Sequence, residues 1–352
     1  MVLGSHVLAG WDFTSEAQQV PKLLGTIVGH GWLGVDLFFV LSGFLITGIL
    51  LDSKERPSYF RNFYARRFLR IIPLYFTVIG VMWLCYGGPA QYFLLSLTFL
   101  ANFSMAFGVE CPHGAGVFWS LAVEEHFYLI WPCLVRFLSR RLLTIFALSV
   151  VIGVPFLRLW AQRKGMDPNA IYSYSYFRFD GLALGALLAI WVRSRYANRR
   201  TSLRMAAALV GVSLLLTLVG LPFGIMALHS VFRFTQAELV FAGFILASIT
   251  LRGSALTSPL RWRFSKLSGD LSYCIYLIHL AVGDGCEYLL SIAGFPFGLR
   301  RMLVRGVLML TVTFAIAWLS HGYFEGPILR LKRYFEYAGA EPRRATPASA
   351  PV

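Results

Sequence analysis

Acidic and imidazole side chains stand inside stretches of this chain that are otherwise apolar. The segment FWSLAVEEHFYLIWP at 118–132 places Glu124, Glu125 and His126 side by side. Each residue of a helix turns by about 100°, so Ser120 and Glu124 share one side while His126 lies about 200° from Glu124. Glu124 and His126 therefore cannot both line one small cavity. Two adjacent glutamates in an apolar helix are costly unless they face a polar cavity.

A second polar stripe occurs in LSYCIYLIHL at 271–280. Ser272, Tyr276, His279 and Gly283 recur at i, i+4, i+7 and i+11, so hydrogen-bonding groups follow one face of the predicted helix. A single buried histidine is more often a satisfied core residue than a catalyst. On this polar stripe we favour the functional interpretation.

Asp36 lies in GVDLFFVLSGFLI, and Val40, Gly43 and Thr47 share its helix face. Two interpretations stay open here. The carboxylate faces a polar path that is narrow at Gly43, or it lies in a helix contact and pairs with an arginine.

The segment FRFDGLALGALLA at 177–189 contains the pair Gly181 and Gly185. Small residues four apart let two helices approach closely. Arg178 and Asp180 stand at the mouth of this segment. An arginine–carboxylate pair with a structural role is the simpler explanation for them.

Basic residues cluster in SYFRNFYARRFLRIIP at 58–73. Its predicted apolar face comprises Phe60, Tyr64, Phe68, Ile71 and Ile72. Arg66 and Arg70 lie opposite, with Arg67 at the border, which predicts an amphipathic interfacial helix closed by Pro73. Guanidinium groups bind phosphate in a bidentate way, so this face suits lipid phosphates or a polyphosphate ligand equally.

The composition indicates what these elements are embedded in. Of 352 residues, 57% are hydrophobic and only 14% are charged, whereas soluble domains are about 25% charged. This excludes a soluble enzyme, a disordered chain and a fibrous protein. The excess of 32 Lys and Arg over 17 Asp and Glu indicates basic cytoplasmic loops rather than nucleic-acid binding. The scattered cysteines indicate neither a metal site nor a disulfide framework.

Apolar runs long enough to span a bilayer recur along the chain. After a short run at 1–10 they fall at 27–51, 71–87, 90–107, 118–138, 142–161, 177–192, 205–223, 235–251, 270–292 and 302–321. We predict an all-α polytopic integral membrane protein with about ten transmembrane helices, the first truncated to about 10 of the roughly 20 residues that a span needs, and a cytoplasmic interfacial helix.

Basic segments set the predicted orientation. Lys and Arg concentrate at 54–70, 136–141, 193–204, 252–266 and 330–344. All five face the cytoplasm of a cell inner membrane only if 90–107 crosses incompletely, which leaves Arg300, Arg301 and Arg305 on the outer side. Residues 1–333 then form the membrane domain, and 334–352 form a cytoplasmic tail without a periodic pattern, which we expect to be disordered.

Six strings in order resemble the membrane acyltransferase-3 family over residues 4–333, and the first and third of them are the most specific. They are GHGWLGVDLFFVLSGFLI, FYARRFLRIIPLYF, FWSLAVEEHFYLIWP, FRFDGLALGALLA, LSYCIYLIHL and HGYFEGPILRL. The resemblance implies transfer of acetyl or other short acyl groups from cytoplasmic acyl-CoA to hydroxyls of extracytoplasmic glycans, lipid-linked sugars, peptidoglycan or macrolides. No metal is implied, and nothing in the sequence indicates the acceptor, the acyl chain length or an oligomeric state.

The resemblance also assigns roles. His6 matches the histidine that closes the family's first span, Glu124 the glutamate of the tryptophan–serine–leucine motif, and His279 the histidine of the penultimate motif. We therefore predict His6, Glu124 and His279 as catalytic. The substrate-binding set that we predict comprises Asp36, Arg66, Arg67, Arg70, Arg178, Asp180, Ser272 and Tyr276. The family's arginine about three helical turns before the first histidine would precede Met1, which leads us to expect a late start codon or a truncated chain.

Acyl transfer to a hydroxyl needs a base and a stabilised oxyanion. We expect His6 to be the base and Glu124 to orient it or to bind the acceptor; alternatively, His6 is transiently acylated. The arginines would hold the CoA phosphates. A multi-pass transporter or lipid-linked sugar flippase is the competing hypothesis, because it too needs carboxylates and histidines within the membrane, but the internal repeats typical of many transporters are not visible.

Overall fold

The computed structural model describes residues 3–4, 6, 31, 33–220, 226–296 and 298–336, and over these residues it is helical without strands. The helices are α1 (Leu33–Ser53), α2 (Tyr59–Tyr86), α3 (Ala90–Leu97), α4 (Phe118–Phe137), α5 (Arg140–Arg163), α6 (Pro168–Ser173), α7 (Phe179–Val192), α8 (Arg199–Gly220), α9 (Met226–Thr250), α10 (Arg263–Ile292), α11 (Leu299–Leu319) and α12 (Gly326–Arg330). Seven helical stretches in this part of the chain are long and apolar enough to cross a membrane. The prediction of an all-α, multi-pass membrane protein is confirmed.

Two further helices belong to the same bundle. Helix α7 is apolar but shorter than those seven, and α4 has 20 residues and carries Glu124 and Glu125 in its middle. Of the predicted first span at 1–10, the structure describes only Leu3, Gly4 and His6. The predicted tail at 334–352 lies outside the described residues beyond Glu336.

The segment 90–107 folds as the eight-residue helix α3 followed by a 3₁₀-helix at Ala101–Phe107. At about 1.5 Å per residue, α3 is far shorter than a bilayer core. This agrees with the expectation that 90–107 does not cross completely.

Helix α2 continues through Pro73, so the prediction of a separate interfacial helix that ends there is wrong. A proline inside a helix removes one N–H donor, and the apolar residues that follow still gain enough by packing to extend the helix. The Thr77 hydroxyl donates to the Pro73 carbonyl at 2.8 Å. Along this helix Asn62 and Phe63 are buried in the protein, whereas Phe68 is 58% exposed on its surface.

Helices α1 and α7 touch backbone to backbone at two glycines. A Cβ atom on Gly43 would overlap the carbonyl of Leu182, and one on Gly185 would overlap the carbonyl of Val40. The close approach that the small-residue pattern predicts at Gly185 is therefore present. It fixes how far α7 stands from α1, on which Ser42 lies.

Beside this contact lie two arginine–carboxylate pairs whose side chains are fully buried. Arg178 donates to Asp36, and Arg158 binds Asp180 through two nitrogens at 2.6 and 3.2 Å. The structure supports the second interpretation of Asp36, in which its carboxylate lies in a helix contact and pairs with an arginine. Arg178 and Asp180 each belong to an arginine–carboxylate pair, but not to one with each other, because residues two apart at a helix start point to different sides. The Thr235 hydroxyl of α9 donates to Asp180 at 2.8 Å.

Gly185→Ala should destabilise the protein, because the added methyl group has no room against the α1 backbone. Overpacking typically costs about 1–3 kcal/mol, so we expect a lower Tm in detergent. Gly153→Ala in α5 is the control, since a Cβ there meets nothing within 4 Å. Equal thermal stability of the two variants would contradict the close contact.

Arg178→Met should cost about 3–5 kcal/mol of unfolding free energy, because it leaves the buried Asp36 charge without its partner. Adding Asp36→Leu to the same protein should recover most of this loss. Arg193→Met is the control, because the Arg193–Asp52 pair is partly exposed and such pairs contribute about 0–1 kcal/mol. Losses that simply add in the Arg178–Asp36 double variant would show that the two residues are not coupled.

Candidate active site

Polar side chains from α1, α2, α4 and α10 form a column through the helix bundle, which we call the polar column. It comprises Arg66, Arg67, Arg70, Ser42, Tyr128, Glu124, Ser120, Tyr276, His279 and His6. We call the end with Arg66, Arg67 and Arg70 the arginine end, and the end with His279 and His6 the histidine end.

Glu124 occupies the part of the column nearest the arginines. Its carboxylate accepts hydrogen bonds from the Ser42 hydroxyl at 2.5 Å and from the Tyr128 hydroxyl, and Ser42 and Tyr128 lie 2.6 Å apart. The Arg67 guanidinium stands over the Tyr128 ring, 4.9 Å from its centroid, and Arg67 and Arg70 both act electrostatically on Glu124. The buried carboxylate is thus held by hydroxyl groups and faces cations.

Ser120 lies one helical turn before Glu124 in α4, and from there the polar column continues on α10. Ser120 hydrogen-bonds the Tyr276 hydroxyl. Because the Ser120 hydroxyl also donates to the Val117 carbonyl at 3.1 Å, the proton between the two side chains comes from Tyr276. The Tyr276 ring stacks on Phe38 of α1, with centroids 6.1 Å apart. This contact joins the three helices around the middle of the column.

His279 has the hydrogen bonding of a neutral base. Its Nδ1 lies 2.8 Å from the Tyr276 carbonyl, which can only accept, so Nδ1 carries a proton and, in the neutral imidazole, Nε2 carries the lone pair. Nε2 is buried and has no hydrogen-bond partner within the described part of the chain. A buried imidazole nitrogen with an unused lone pair can remove a proton from a bound hydroxyl.

His6 lies beside His279, with ring centroids 5.3 Å apart and planes tilted by 51°. Arg305 of α11 donates to the His6 carbonyl at 3.3 Å. The expectation that Glu124 orients His6 is wrong: its carboxylate is held by Ser42 and Tyr128 on the arginine side of the Ser120–Tyr276 pair. The His279 ring, Arg305 and Asp284 are therefore the described groups that act on His6.

The arginine end opens on a cavity of about 490 Å³. The cavity is lined by Tyr64, Ala65, Arg67, Phe68, Leu69, Ile71, Ile72, Glu125 and Phe335. Glu125 lines this cavity, whereas Glu124 does not. The Oε1 of Glu125 has no hydrogen-bond partner among the described residues. A pocket with a guanidinium, an aromatic wall and an apolar floor can take a ligand that combines phosphate with an apolar arm.

Four predicted substrate-binding residues lie away from the column. Asp36, Arg178 and Asp180 belong to the buried ion pairs. Ser272 is exposed and donates to the Gly269 carbonyl at 2.7 Å, because the first turns of α10 are largely uncovered by neighbouring helices.

His126 points away from Glu124, as the helical spacing predicts. Its Nδ1 lies 2.6 Å from the Ser175 hydroxyl. Three residues of the column, Ser120, Tyr128 and Ser42, were not among the predicted site residues. Tyr128 was detectable, because it stands one turn after Glu124 on the same helix face. Ser42 was not, because nothing in the α1 sequence separates it from other small polar residues.

Within the described ranges, no three His, Cys, Asp or Glu side chains are placed to hold a metal.

Comparison of the sequence with known proteins identifies the family of the chain. The acyltransferase-3 family model, described as an acyltransferase domain, matches residues 1–322. The peptidoglycan O-acetyltransferase OatA of Listeria monocytogenes is 31% identical over 334 residues, covering 85% of this chain and 51% of OatA. The protein YrhL of Bacillus subtilis is 29% identical over 335 residues, covering 85% of this chain and 50% of YrhL.

The chain spans about half the length of these two relatives. No solved structure matches the chain. The match to the family model extends over nearly all of the membrane-embedded helices and over both ends of the polar column. The chain therefore belongs to the acyltransferase-3 family.

Proposed function

We propose that the chain is a membrane O-acyltransferase that moves an acetyl group from acetyl-CoA to a hydroxyl of a glycan outside the cytoplasm. The observation that carries this proposal is the polar column, which has a cation cluster at one end and two imidazoles at the other. Relatives named as peptidoglycan O-acetyltransferases make peptidoglycan the first acceptor to test.

The donor binds at the arginine end in this proposal. CoA carries a pyrophosphate and a phosphomonoester, and guanidinium groups bind phosphate with charge-assisted hydrogen bonds. No described carboxylate forms an ion pair with Arg66, Arg67 or Arg70, so their charges stay available to a ligand. The thioester arm then extends from the cavity along Glu124 and Tyr276 toward His279.

The acceptor hydroxyl meets the thioester at the histidine end. The Nε2 of His279 takes the hydroxyl proton while the hydroxyl oxygen attacks the thioester carbonyl. An N–H of His6 donates to the oxyanion of the tetrahedral intermediate. The C–S bond then breaks, the thiolate receives the proton from His279, and CoA and the acetyl ester leave.

Ser42, Tyr128 and Tyr276 position this chemistry. The two hydroxyls on Glu124 keep a carboxylate beside Arg67, so the cation stays at the entrance of the column. Tyr276 supplies the carbonyl that fixes the tautomer of His279. These residues connect the two ends of the polar column and shield the path of the thioester from bulk water. Contact with bulk water would favour hydrolysis of the thioester.

The orientation follows from the donor. Because acyl-CoA is made in the cytoplasm, the arginine end faces the cytoplasm of the inner membrane, and the histidine end faces outward. Leu331–Phe335 packs near the arginine end, so the residues after it begin on the cytoplasmic side.

His279→Ala and Glu124→Gln should each reduce acetyl transfer by about 100-fold or more, because one removes the base and the other the carboxylate beside Arg67. Transfer is measured as label from radioactive acetyl-CoA in the glycan fraction of membranes that contain the chain. His126→Gln is the control on the opposite side of α4 and should stay within a few-fold of the unsubstituted protein. No label with the unsubstituted protein, or equal loss in all three variants, would contradict the proposal.

CoA should protect the purified protein against heat by about 2.7 kcal/mol at a concentration 100 times its Kd. Arg67→Glu should abolish this protection, because it places an anion where phosphate binds. Arg141→Glu reverses a charge at an exposed position of α5 and should retain it. Protection that survives Arg67→Glu would exclude the arginine end as the donor site, and a transporter would show no protection at all.

A further inference from the structure

The chain after α12 returns to the first turns of α2. A 3₁₀-helix at Leu331–Phe335 lies there. The buried Asn62 amide donates to the Glu336 carbonyl at 3.2 Å, and the Arg61 guanidinium stands 5.7 Å from the Phe335 ring centroid. These contacts fix residues 331–336, which we call the C-terminal segment, against the arginine end.

This packing brings a fourth cation to the three arginines. Arg66, Arg67 and Arg70 all act electrostatically on the half-buried Lys332. Within the described residues, none of these four side chains donates a hydrogen bond or forms an ion pair. Like charges that lie close together repel one another, so this cluster suits a polyanionic ligand.

Phe335 adds an aromatic wall to the same place. It lines the cavity of about 490 Å³ together with Arg67 and Tyr64. The C-terminal segment thus contributes one cation and one ring to a pocket whose remaining walls come from α2 and α4. A ligand with several phosphates and an aromatic base matches both contributions.

We propose that the C-terminal segment is part of the donor site, where Lys332 binds a phosphate of the nucleotide moiety of acyl-CoA together with Arg66 and Arg70. This rests on the proposed function, because it takes acyl-CoA as the donor. Binding the nucleotide ties the C-terminal segment to α2, since the phosphates contact cations from both. Anionic lipid headgroups carry the same chemistry, and the experiment separates the two sources.

The test compares Lys332→Gln with Arg333→Gln in the full chain, reconstituted in nanodiscs of phosphatidylcholine alone and, in a second arm, in nanodiscs that also contain an anionic lipid. Arg333 is the matched control, because it is the next residue, is exposed and donates to the neighbouring Tyr334 hydroxyl at 2.8 Å. We expect Lys332→Gln to weaken CoA binding about tenfold or more, since a charge-assisted hydrogen bond is lost. Arg333→Gln should change the Kd by less than about twofold.

Thermal unfolding without ligand gives an independent readout. Lys332→Gln should raise the Tm of the unliganded protein, because one of four repelling charges is removed, while it reduces the stabilisation by CoA. A lysine with a purely structural role would lower the Tm when it is replaced. A higher Tm without CoA, together with a smaller rise in Tm when CoA is added, is therefore the signature of a ligand-binding cation.

Three results would overturn the proposal. The first is an unchanged CoA affinity in Lys332→Gln. The second is an equal loss in Lys332→Gln and Arg333→Gln. The third is a Lys332 effect that occurs only with anionic lipid in the nanodiscs, which would assign the cluster to headgroups. If the unsubstituted protein does not bind CoA at all, the proposed function itself fails. If it binds CoA and transfers acetyl groups while Lys332→Gln behaves like Arg333→Gln, only the role of the C-terminal segment fails.

Discussion

A charged side chain within a bilayer must find a partner, and this requirement organises the bundle. The Arg178–Asp36 and Arg158–Asp180 pairs are fully buried and join α1, α5 and α7, with Thr235 of α9 bound to Asp180. Leaving any one of these charges alone would cost several kcal/mol. The helices that carry them are therefore held in one arrangement, and the backbone contact at Gly185 sets the remaining distance.

In the polar column, hydroxyl groups rather than oppositely charged side chains bind the buried carboxylate. Glu124 is held by Ser42 and Tyr128, and Tyr276 and His279 continue the chain of contacts across to α10. In and beside the polar column, four cations and one imidazole nitrogen without hydrogen-bond or ion-pair partners among the described residues lie at the two ends. They are the arginine cluster with Lys332 and the Nε2 of His279. In the proposed reaction these ends are where the substrates bind.

Properties that depend on local sequence were predictable. Apolar length identifies helices long enough to cross a membrane, and the 100° spacing correctly separates Glu124 from His126. The apolar segment at 90–107 is expected not to cross the membrane completely, which agrees with its folding as an eight-residue helix followed by a 3₁₀-helix. These features follow from the residues of a single helix.

Features that depend on a second helix were not predictable. Asp36 and Asp180 each had an arginine available, but the helix packing assigns Arg178 to the first and Arg158 to the second. Ser42 donates a hydrogen bond to Glu124 only because α1 crosses α4 at that level. Lys332 meets the arginines through a return of the chain after α12. Pro73 predicts a helix end by its own preference, and packing of the following apolar residues overrides it.

The unbroken course of α2 makes its two ends mechanically dependent on each other. A 28-residue helix is about 42 Å long. It carries the arginine cluster near its start, and at its last residue the Tyr86 hydroxyl donates to the Ala281 carbonyl at 2.5 Å, two residues beyond His279. One continuous helix therefore contacts both ends of the polar column, through the arginines near its start and through the turn of α10 beside His279 at its end. A substitution that shortens or lengthens α2 between these two points would place the donor and acceptor ends out of register with each other.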